Sequence, residues 1–303
     1  MSPEQNKAIV RHYFEEIHKR NLAVLDELLA AGYVEHTPLP FPPTPGRNGT
    51  IEIAQAALRA TPDGWHTIKA QIADDDLVMT HIEAGGTFQA DLYDLKATGK
   101  PISMCGTALH RVRDGKLVEH WGVSDFPSLL RQIGVMPGPA EQPEPVPAPP
   151  PPARSGRAPT REEAERIMQR FVEMFNRNDF SIADEILAPD YYANFVGVPP
   201  MTSREAWKAM AQGFLAGFSD VHMTVEHGLY EGEWVGGNWT WTARHTAEFM
   251  GIPATGKSVK VRGLGMFRVL DGRIVEETTI EDIMALLVQL GVVPTPSEAR
   301  VPA

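Results

Sequence analysis

Apolar residues recur every three to four positions in two stretches, one at the start of each half of the chain, which is the period of an amphipathic helix. Each stretch follows a pattern typical of a helix N-terminus, Ser2-Pro3-x-Gln5 in the first half and Thr160-x-x-Glu163 in the second. The two patterns predict helices. Their apolar stripes are expected to pack in the core, and the second interpretation is that they form part of a cavity wall. The stripes are Ile9, Val10, Tyr13, Phe14 and Ile17, and Ile167, Met168, Phe171, Val172 and Phe175.

Each half continues with further helical segments and then changes to sequence rich in β-branched and aromatic residues, which indicates strands. Short second helices are predicted at 22–29 and 181–187, and third helices at 51–60 and 204–214. Asp114-Gly115 and Asp271-Gly272 indicate tight hairpins late in each half. Helices that precede an antiparallel sheet predict an α+β fold rather than a parallel doubly wound one.

The first hairpin predicts which side chains share a face of the sheet. A two-residue turn pairs Arg113 with Lys116, and an uninterrupted ladder then sets Ala108 opposite Trp121 and Met104 opposite Asp125. On this register His120 points to the opposite face, and a slip of one residue would invert the assignment. The shared face holds Met104, Gly106, Ala108, His110 and Val112 with Leu117, Glu119, Trp121, Val123 and Asp125, and in the second half Val261, Gly263, Gly265, Phe267 and Val269 with Ile274, Glu276, Thr278, Ile280 and Asp282.

The chain repeats itself. Residues 97–137 align without gaps on 254–294, with 18 of 41 positions identical, and 19–36 correspond to 176–194 after one insertion. Between the copies, Pro137 to Pro159 contain ten prolines, a composition typical of an extended linker. The sequence therefore predicts a first domain at 1–137, a linker at 138–159 and a second domain at 160–303.

Composition narrows the class of partner. The net charge of −11 argues against nucleic acid and membrane surfaces, which bind clustered basic residues. A small molecule is therefore the favoured partner. No apolar run approaches the ~18 residues needed to span a bilayer, and the N-terminus lacks the features of a secretory signal, which predicts a cytoplasmic protein. Cys105, the only cysteine, excludes an intrachain disulfide and a multi-cysteine zinc site and is expected to be a small buried hydrophobe.

Both copies resemble SnoaL-like polyketide cyclases of the nuclear transport factor 2-like superfamily. The resemblance is carried by ATGK, the xDGxxVE hairpin, the aspartate four residues beyond the position of Trp121, and LLRQIG (129–134) and LLVQLG (286–291). It implies two cone-shaped domains, each a curved antiparallel or mixed sheet packed against N-terminal helices around an apolar pocket. It also implies chemistry without a metal or organic cofactor, in which an aspartate acts as general acid and base. The matching residues are Asp125 and Asp282.

These two aspartates have a second interpretation, because each also stands where an N-cap would begin the following helix. The resemblance implies pocket positions for His36, with Asn194 in its place in the second copy, and for His245, with Phe88 in its place in the first. His110 is expected to meet Glu119 in a rim ion pair, and His120 to face solvent or an interface. A metal site built from His36, His110 and Asp125 lacks any tight ligand spacing. The remaining pocket candidates are Tyr13, Trp121 and Thr278.

Three functions remain open from the sequence. The first is a cofactor-independent cyclase or isomerase that acts on a hydrophobic polyketide-like or other carbonyl compound. The second is an enzyme that opens an epoxide, and the third is a non-catalytic binding or scaffold protein, which the sequence links to capping aspartates and filled pockets. Because the copies differ at most candidate positions, we expect their two sites to be unequal. We also expect the copies to form an intrachain pseudo-dimer, which would replace a homodimer or assemble into a larger homo-oligomer.

Overall fold

The computed structural model describes residues 1–37, 46–136, 151–196 and 198–293, which form two compact units, one from each half of the chain. In the first unit, two helices precede the first strand, and a third helix leads into a four-stranded meander and a short final helix. These elements are α1 (Pro3–His18), α2 (Ala23–Leu28), β1 (Leu29–Glu35), α3 (Arg47–Ala60), β2 (Trp65–Asp74), β3 (Leu77–Thr87), β4 (Pro101–Arg113), β5 (Lys116–Ser124) and α4 (Phe126–Gln132).

The second unit repeats this order. Its elements are α5 (Arg161–Arg177), α6 (Ile182–Ile186), β6 (Leu187–Phe195), α7 (Arg204–Leu215), β7 (Phe218–Glu231), β8 (Trp234–His245), β9 (Ser258–Leu270), β10 (Arg273–Glu281) and α8 (Ile283–Leu290). Each sheet has five strands, in the order β1-β5-β4-β3-β2 and β6-β10-β9-β8-β7. The pairs β1·β5 and β6·β10 are parallel and the other pairs are antiparallel. The prediction of two tandem α+β domains with mixed sheets is confirmed.

The opening helices begin where the sequence predicts. Ser2 and Thr160 are N-caps in complete capping boxes, closed by Gln5 and Glu163. The apolar stripes of α1 and α5 then pack on one face of each sheet: Val10 joins Val112 and Leu117 in one apolar cluster, and residues of α5 join the second sheet in another. One boundary was predicted wrongly, because α3 begins at Arg47 and not at residue 51.

A one-residue bulge in each hairpin changes the register that the sequence predicts. Arg113 pairs with Lys116 and Val112 with Leu117, but Arg111 pairs with Glu119, so that Val118 has no partner opposite it. Beyond the bulge, Trp121 therefore lies opposite Leu109, and the predicted pairing with Ala108 is wrong. Val275 is the extra residue at the same place in β10. The bulge moves every later side chain to the other face.

The helix-facing side of β5 consequently carries His120, Gly122 and Ser124, and the same side of β10 carries Glu277, Thr279 and Glu281. His110 lies opposite His120 and not beside Glu119. The predicted orientation of His120 away from the helices and the predicted ion pair between His110 and Glu119 are both wrong. These assignments decide which side chains can reach a cavity.

The described end of the proline-rich segment, 151–159, contains no helix or strand. It is attached to the second unit, because Arg154 binds Asp190 at 3.0 Å and the Arg157 N–H donates to Asp271 Oδ1 at 3.0 Å. The rest of the predicted linker lies outside the described residues, and its boundaries stay a prediction. None of the helices that the structure describes is long and apolar enough to cross a membrane.

Candidate active sites

The second unit has an apolar cleft between α5, α7 and the helix-facing side of its sheet. About 520 Å³ of the cleft, counted out to its open mouth, is free of atoms. Among the described residues that line it, Glu281 supplies the one ionisable side chain. The others are Phe175, Phe195, Trp207, Met210, Ala211, Phe214, Leu215, Val221, Met223 and Trp241. The five aromatic side chains of this lining suit a flat, hydrophobic compound.

Two tryptophans of β8 hold the Glu281 carboxyl. The Trp239 Nε1–H donates to Oε1 at 2.9 Å and the Trp241 Nε1–H donates to Oε2 at 3.0 Å. Strand β9 lies between β8 and β10 and permits this contact because Gly263 has no side chain. A Cβ there would lie 2.6 Å from Glu281 Oε1 and closer still to Trp239 Nε1. Removal from water raises the pKa of Glu281 to about 7, although the two indole hydrogen bonds oppose the shift.

A second acid, Glu277, lies deeper in the same unit. It is 1% exposed and accepts a 2.8 Å hydrogen bond from the Trp207 Nε1–H. Burial raises its pKa to about 7, and burial together with the neighbouring Glu277 raises the pKa of the Tyr191 hydroxyl. Glu277 is not part of the lining of the cleft. Its surroundings are those of a buried structural acid beneath the site.

The first unit has an equivalent cleft that is wider, with about 810 Å³ free of atoms out to its mouth. Ala84 takes the place of Trp241, as the strand registers show, and Ala57 takes the place of Phe214, counted from the first residues of α3 and α7. His18 and His66 line this cleft with their rings 5.1 Å apart. Ser124 replaces Glu281, so this cleft has no acid at that point.

The first unit instead carries a polar cluster on the helix-facing side of β1, β4 and β5. His120 Nδ1 lies 2.9 and 2.8 Å from the two oxygens of Glu35. Glu35 also accepts from the Tyr33 hydroxyl at 3.0 Å and from the Thr37 N–H at 2.9 Å. The ring of His110 packs against that of His120, with the centroids 4.7 Å apart and the planes tilted by 31°.

Charge in this cluster is paired. Burial would raise the pKa of Glu35, but the imidazole of His120 and the bonds from His120 and Thr37 outweigh burial and lower it to about 2. Burial, and then the neighbouring His120, hold the pKa of His110 well below its usual value. Tyr13 packs against His110 at 5.5 Å. In this cluster the ionised carboxylate of Glu35 therefore binds Nδ1 of the His120 imidazole.

Asp125 and Asp282, the predicted acid/base residues, are the N-caps of α4 and α8. Asp125 accepts from the Ser128 N–H at 3.1 Å and Asp282 from the Ala285 N–H at 2.8 Å. Burial raises the pKa of Asp282. Neither aspartate is among the lining residues of the two clefts, and their catalytic role stays a prediction. A non-catalytic protein is expected to combine capping aspartates with filled pockets. Both aspartates are caps, but neither cleft is filled, so only the first of these two features is present.

His36 and Trp121 lie on the face of the first sheet opposite to His120, again because of the bulge. Their rings stack at 4.5 Å, and His36 Nε2 lies 2.9 Å from Glu119 Oε2. The matching residues of the second unit, Asn194 and Thr278, are register partners on β6 and β10. The structure therefore places these four predicted residues away from the cleft linings.

Phe88 and His245 have different surroundings although they correspond in the repeat. Phe88 is fully buried and lines the first cleft, and its role in binding a substrate stays a prediction. His245 is also fully buried, but its Nδ1 accepts from the Thr255 N–H at 3.2 Å and its ring packs on Phe218 at 5.3 Å. His245 does not line the second cleft. Its predicted catalytic role is untested.

Sequence reasoning missed Glu35, His120 and Glu281 as site residues. Glu281 immediately precedes the predicted Asp282, and only the bulge reveals that the earlier residue faces the cleft. Two signals were available: the alternating tryptophans of β8, and the glycines that leave room opposite them. The described parts of the chain contain no group of three or more His, Cys, Asp or Glu residues arranged to hold a metal ion.

Comparison with known proteins agrees with the repeat. The family model described as SnoaL-like polyketide cyclase matches residues 7–133 and 165–290. The chain therefore belongs to the SnoaL-like polyketide cyclase family, with one copy of the family domain in each half. This result confirms the prediction of an enzyme of the SnoaL-like cyclase class. The cytoplasmic location and the pairing of the two units stay predictions.

Individual relatives correspond to single copies. Aklanonic acid methyl ester cyclase DauD of Streptomyces sp. strain C5 is 27% identical over 138 residues, which cover 44% of this chain and 86% of that protein. The structure of IdmH from Streptomyces antibioticus is 35% identical and covers 42% of this chain and 97% of its own, with a TM-score of 0.39. TsrD from Streptomyces laurentii is 24% identical and covers 45% and 99%, with a TM-score of 0.42.

Proposed function

We propose that this chain is a cofactor-independent cyclase that closes a ring in a flat, hydrophobic, polyketide-like carbonyl compound, with Glu281 of the second unit as the acid and base. The observation that carries the proposal is the carboxyl of Glu281 in an apolar cleft, with its pKa raised to about 7. A group with such a pKa exchanges protons in both directions near neutral pH.

The chemistry requires only proton transfer. Ionised Glu281 removes a proton from a carbon between two carbonyl groups, and the resulting enolate carbon attacks another carbonyl carbon of the same molecule. A carbon–carbon bond forms and the attacked oxygen becomes an alkoxide, which takes the proton back from Glu281. Substrate and product are isomers. The indoles of Trp239 and Trp241 keep the carboxyl in place during both transfers.

Aklanonic acid methyl ester, the compound in the name of the Streptomyces relative, is the first substrate to test. We expect the full chain to convert it into an isomer of equal mass and different chromatographic retention. Glu281→Gln keeps the size of the side chain but cannot accept the proton, and should lower kcat about 10²- to 10⁴-fold. No isomer from the wild-type chain would remove this compound class from the proposal.

Asp282→Asn separates the proposal from the assignment that the sequence alone suggests. Asparagine caps helices about as well as aspartate, so this variant removes the charge and keeps the start of α8. We expect it to keep most of the activity. Loss of turnover in Asp282→Asn, together with normal turnover in Glu281→Gln, would transfer the acid/base role to Asp282.

A further inference from the structure

The Glu35–His120 pair has the geometry of a base held by a carboxylate. Glu35 engages His120 at Nδ1, which fixes the proton on that nitrogen and leaves Nε2 as the basic atom. Tyr33 and Thr37 supply further hydrogen bonds to Glu35, so the carboxylate cannot turn away. The His120 side chain is 20% exposed, and a substrate can therefore reach it.

Gly122 has no side chain, and the ring of His120 lies close against its backbone. A Cβ at this position would lie 3.1 Å from Nε2 and 2.9 Å from Cε1, so any larger residue would displace the ring. The same point lies 3.4 Å from Thr37 Oγ1. Thr279 fills the corresponding place in the second unit. The close approach of a ring to the backbone at this point is therefore specific to the first unit.

One buried polar atom, His110 Nδ1, borders the pair without a hydrogen-bond partner among the described residues. A buried polar atom left unpaired costs about 1–3 kcal/mol, and native proteins rarely leave one without a reason. A polar ligand group that bonds His110 Nδ1 would satisfy this atom and would lie beside the ring of His120, whose centroid is 4.7 Å from that of His110.

We propose that His120 is the general base of a second proton-transfer site, in the first unit, which takes an aromatic compound with an acidic C–H beside a carbonyl or imine. The proton moves from carbon to Nε2, the bonding pair passes into the neighbouring carbonyl or imine, and Glu35 stabilises the imidazolium. Return of the proton at another carbon gives an isomer. The second unit lacks the pair, because Ala193 and Glu277 occupy these positions. This site does not depend on the role of Glu281.

The test uses the full chain with Glu281→Gln already in place, which removes the proposed base of the second unit. The reagent is 5-nitrobenzisoxazole: a base takes its C3 proton, the N–O bond breaks, and a coloured cyanonitrophenolate forms. We expect turnover in this parent chain, and His120→Gln should lower kcat/KM about 10²-fold or more. An unchanged rate in a folded His120→Gln chain overturns the proposal, as does a parent chain with no turnover.

Two further variants guard against a folding artefact. Gly122→Ala leaves both reacting groups present but forces the ring of His120 from Glu35, and we expect the same loss of rate. Glu119→Gln is the matched control, since Glu119 precedes His120 but binds His36 and Arg111 on the opposite face. It should leave the rate unchanged. A normal rate in Gly122→Ala, or an equal loss in Glu119→Gln, contradicts the site.

Nuclear magnetic resonance of ¹⁵N-labelled histidine gives a readout that needs no substrate. We expect His120 to carry its proton on Nδ1 in the wild-type chain and to lose this fixed tautomer in Glu35→Gln. A proton on Nε2 in the wild-type chain would overturn the proposal. The Glu281→Gln substitution should not alter this signal, so failure here is distinct from failure of the proposed cyclase chemistry.

Discussion

The two units place a tyrosine at the same point of their first strands, yet the carboxylate beside each tyrosine comes from a different strand. Tyr33 bonds Glu35, two residues further along β1, whereas Tyr191 lies beside Glu277, which belongs to the neighbouring β10. A histidine keeps the first acid ionised, with a pKa of about 2, whereas burial raises the pKa of the second to about 7 against the opposing hydrogen bond from Trp207. One fold thus supports an ionised and a protonatable acid at neighbouring positions.

The stability of the two units is expected to depend on pH in opposite directions, because buried acids dominate in the second unit and buried histidines in the first. Folded Glu277 holds a proton up to about pH 7, but in the unfolded chain only up to about pH 4.5. The folded second unit therefore binds more protons in this interval, and its unfolding free energy should fall as pH rises, by on the order of 3 kcal/mol from this carboxyl alone.

Buried histidines give the first unit the reverse slope. Burial lowers the pKa of His81 to about 4, from 6.5 in the unfolded chain. The unfolded chain binds more protons between these values, so the unfolding free energy of the first unit should rise with pH by a similar amount, on the order of 3 kcal/mol. We expect these slopes in calorimetric unfolding of the full chain at pH 5, 6 and 7.

Single variants assign the two slopes to their residues, whether the units unfold in one transition or two. Glu277→Gln should make the dependence of stability on pH more positive, because it removes the falling contribution. His81→Gln should make it more negative. If both variants move the slope in the same direction, the contrast between the units is wrong.

Glycines at matched positions predict a smaller difference. In Gly263→Ala the new methyl group would overlap the contact of Glu281 with Trp239, whereas in Gly106→Ala it meets the rotatable Ser124 hydroxyl at 3.0 Å. Overpacking of this kind costs about 1–3 kcal/mol. We expect a loss of that size for Gly263→Ala and less than about 1 kcal/mol for Gly106→Ala in guanidinium unfolding. Equal losses would show that Gly263 has no special role in the position of Glu281.

The fold could be predicted from the sequence because its signals are local and occur twice. Capping boxes, apolar stripes and Asp-Gly turns each involve a few neighbouring residues, and the repeat doubles the evidence for each. The site could not be predicted to the same degree. Val118 and Val275 carry no sequence mark that distinguishes a bulged valine from a paired one, yet each decides the face of every later side chain.

Long-range pairing limits prediction in a second way. Glu35 meets His120 only because β1 pairs in parallel with β5, a contact between residues 85 positions apart in the chain. Hairpin rules predict neighbours in sequence and do not reach such a pair. The substitution of His120 by Glu277 at the same place in the repeat was visible in the sequence, but its meaning depends on whether Glu35 or Ala193 lies beside it.

The smallest predicted effect concerns the aspartates that the sequence favours for catalysis. Asp125 and Asp282 cap helices, so each change to alanine should cost about 1 kcal/mol, within the usual range of 0.5–2 kcal/mol. The change to asparagine should lower the free energy of unfolding by only a few tenths of the loss caused by alanine, because an amide oxygen accepts a hydrogen bond from the same N–H. Urea unfolding of the four variants measures this pattern in both units. Equal losses for alanine and asparagine would trace the loss to the missing charge and not to the hydrogen bond of the cap, and the capping interpretation of these aspartates would then be wrong.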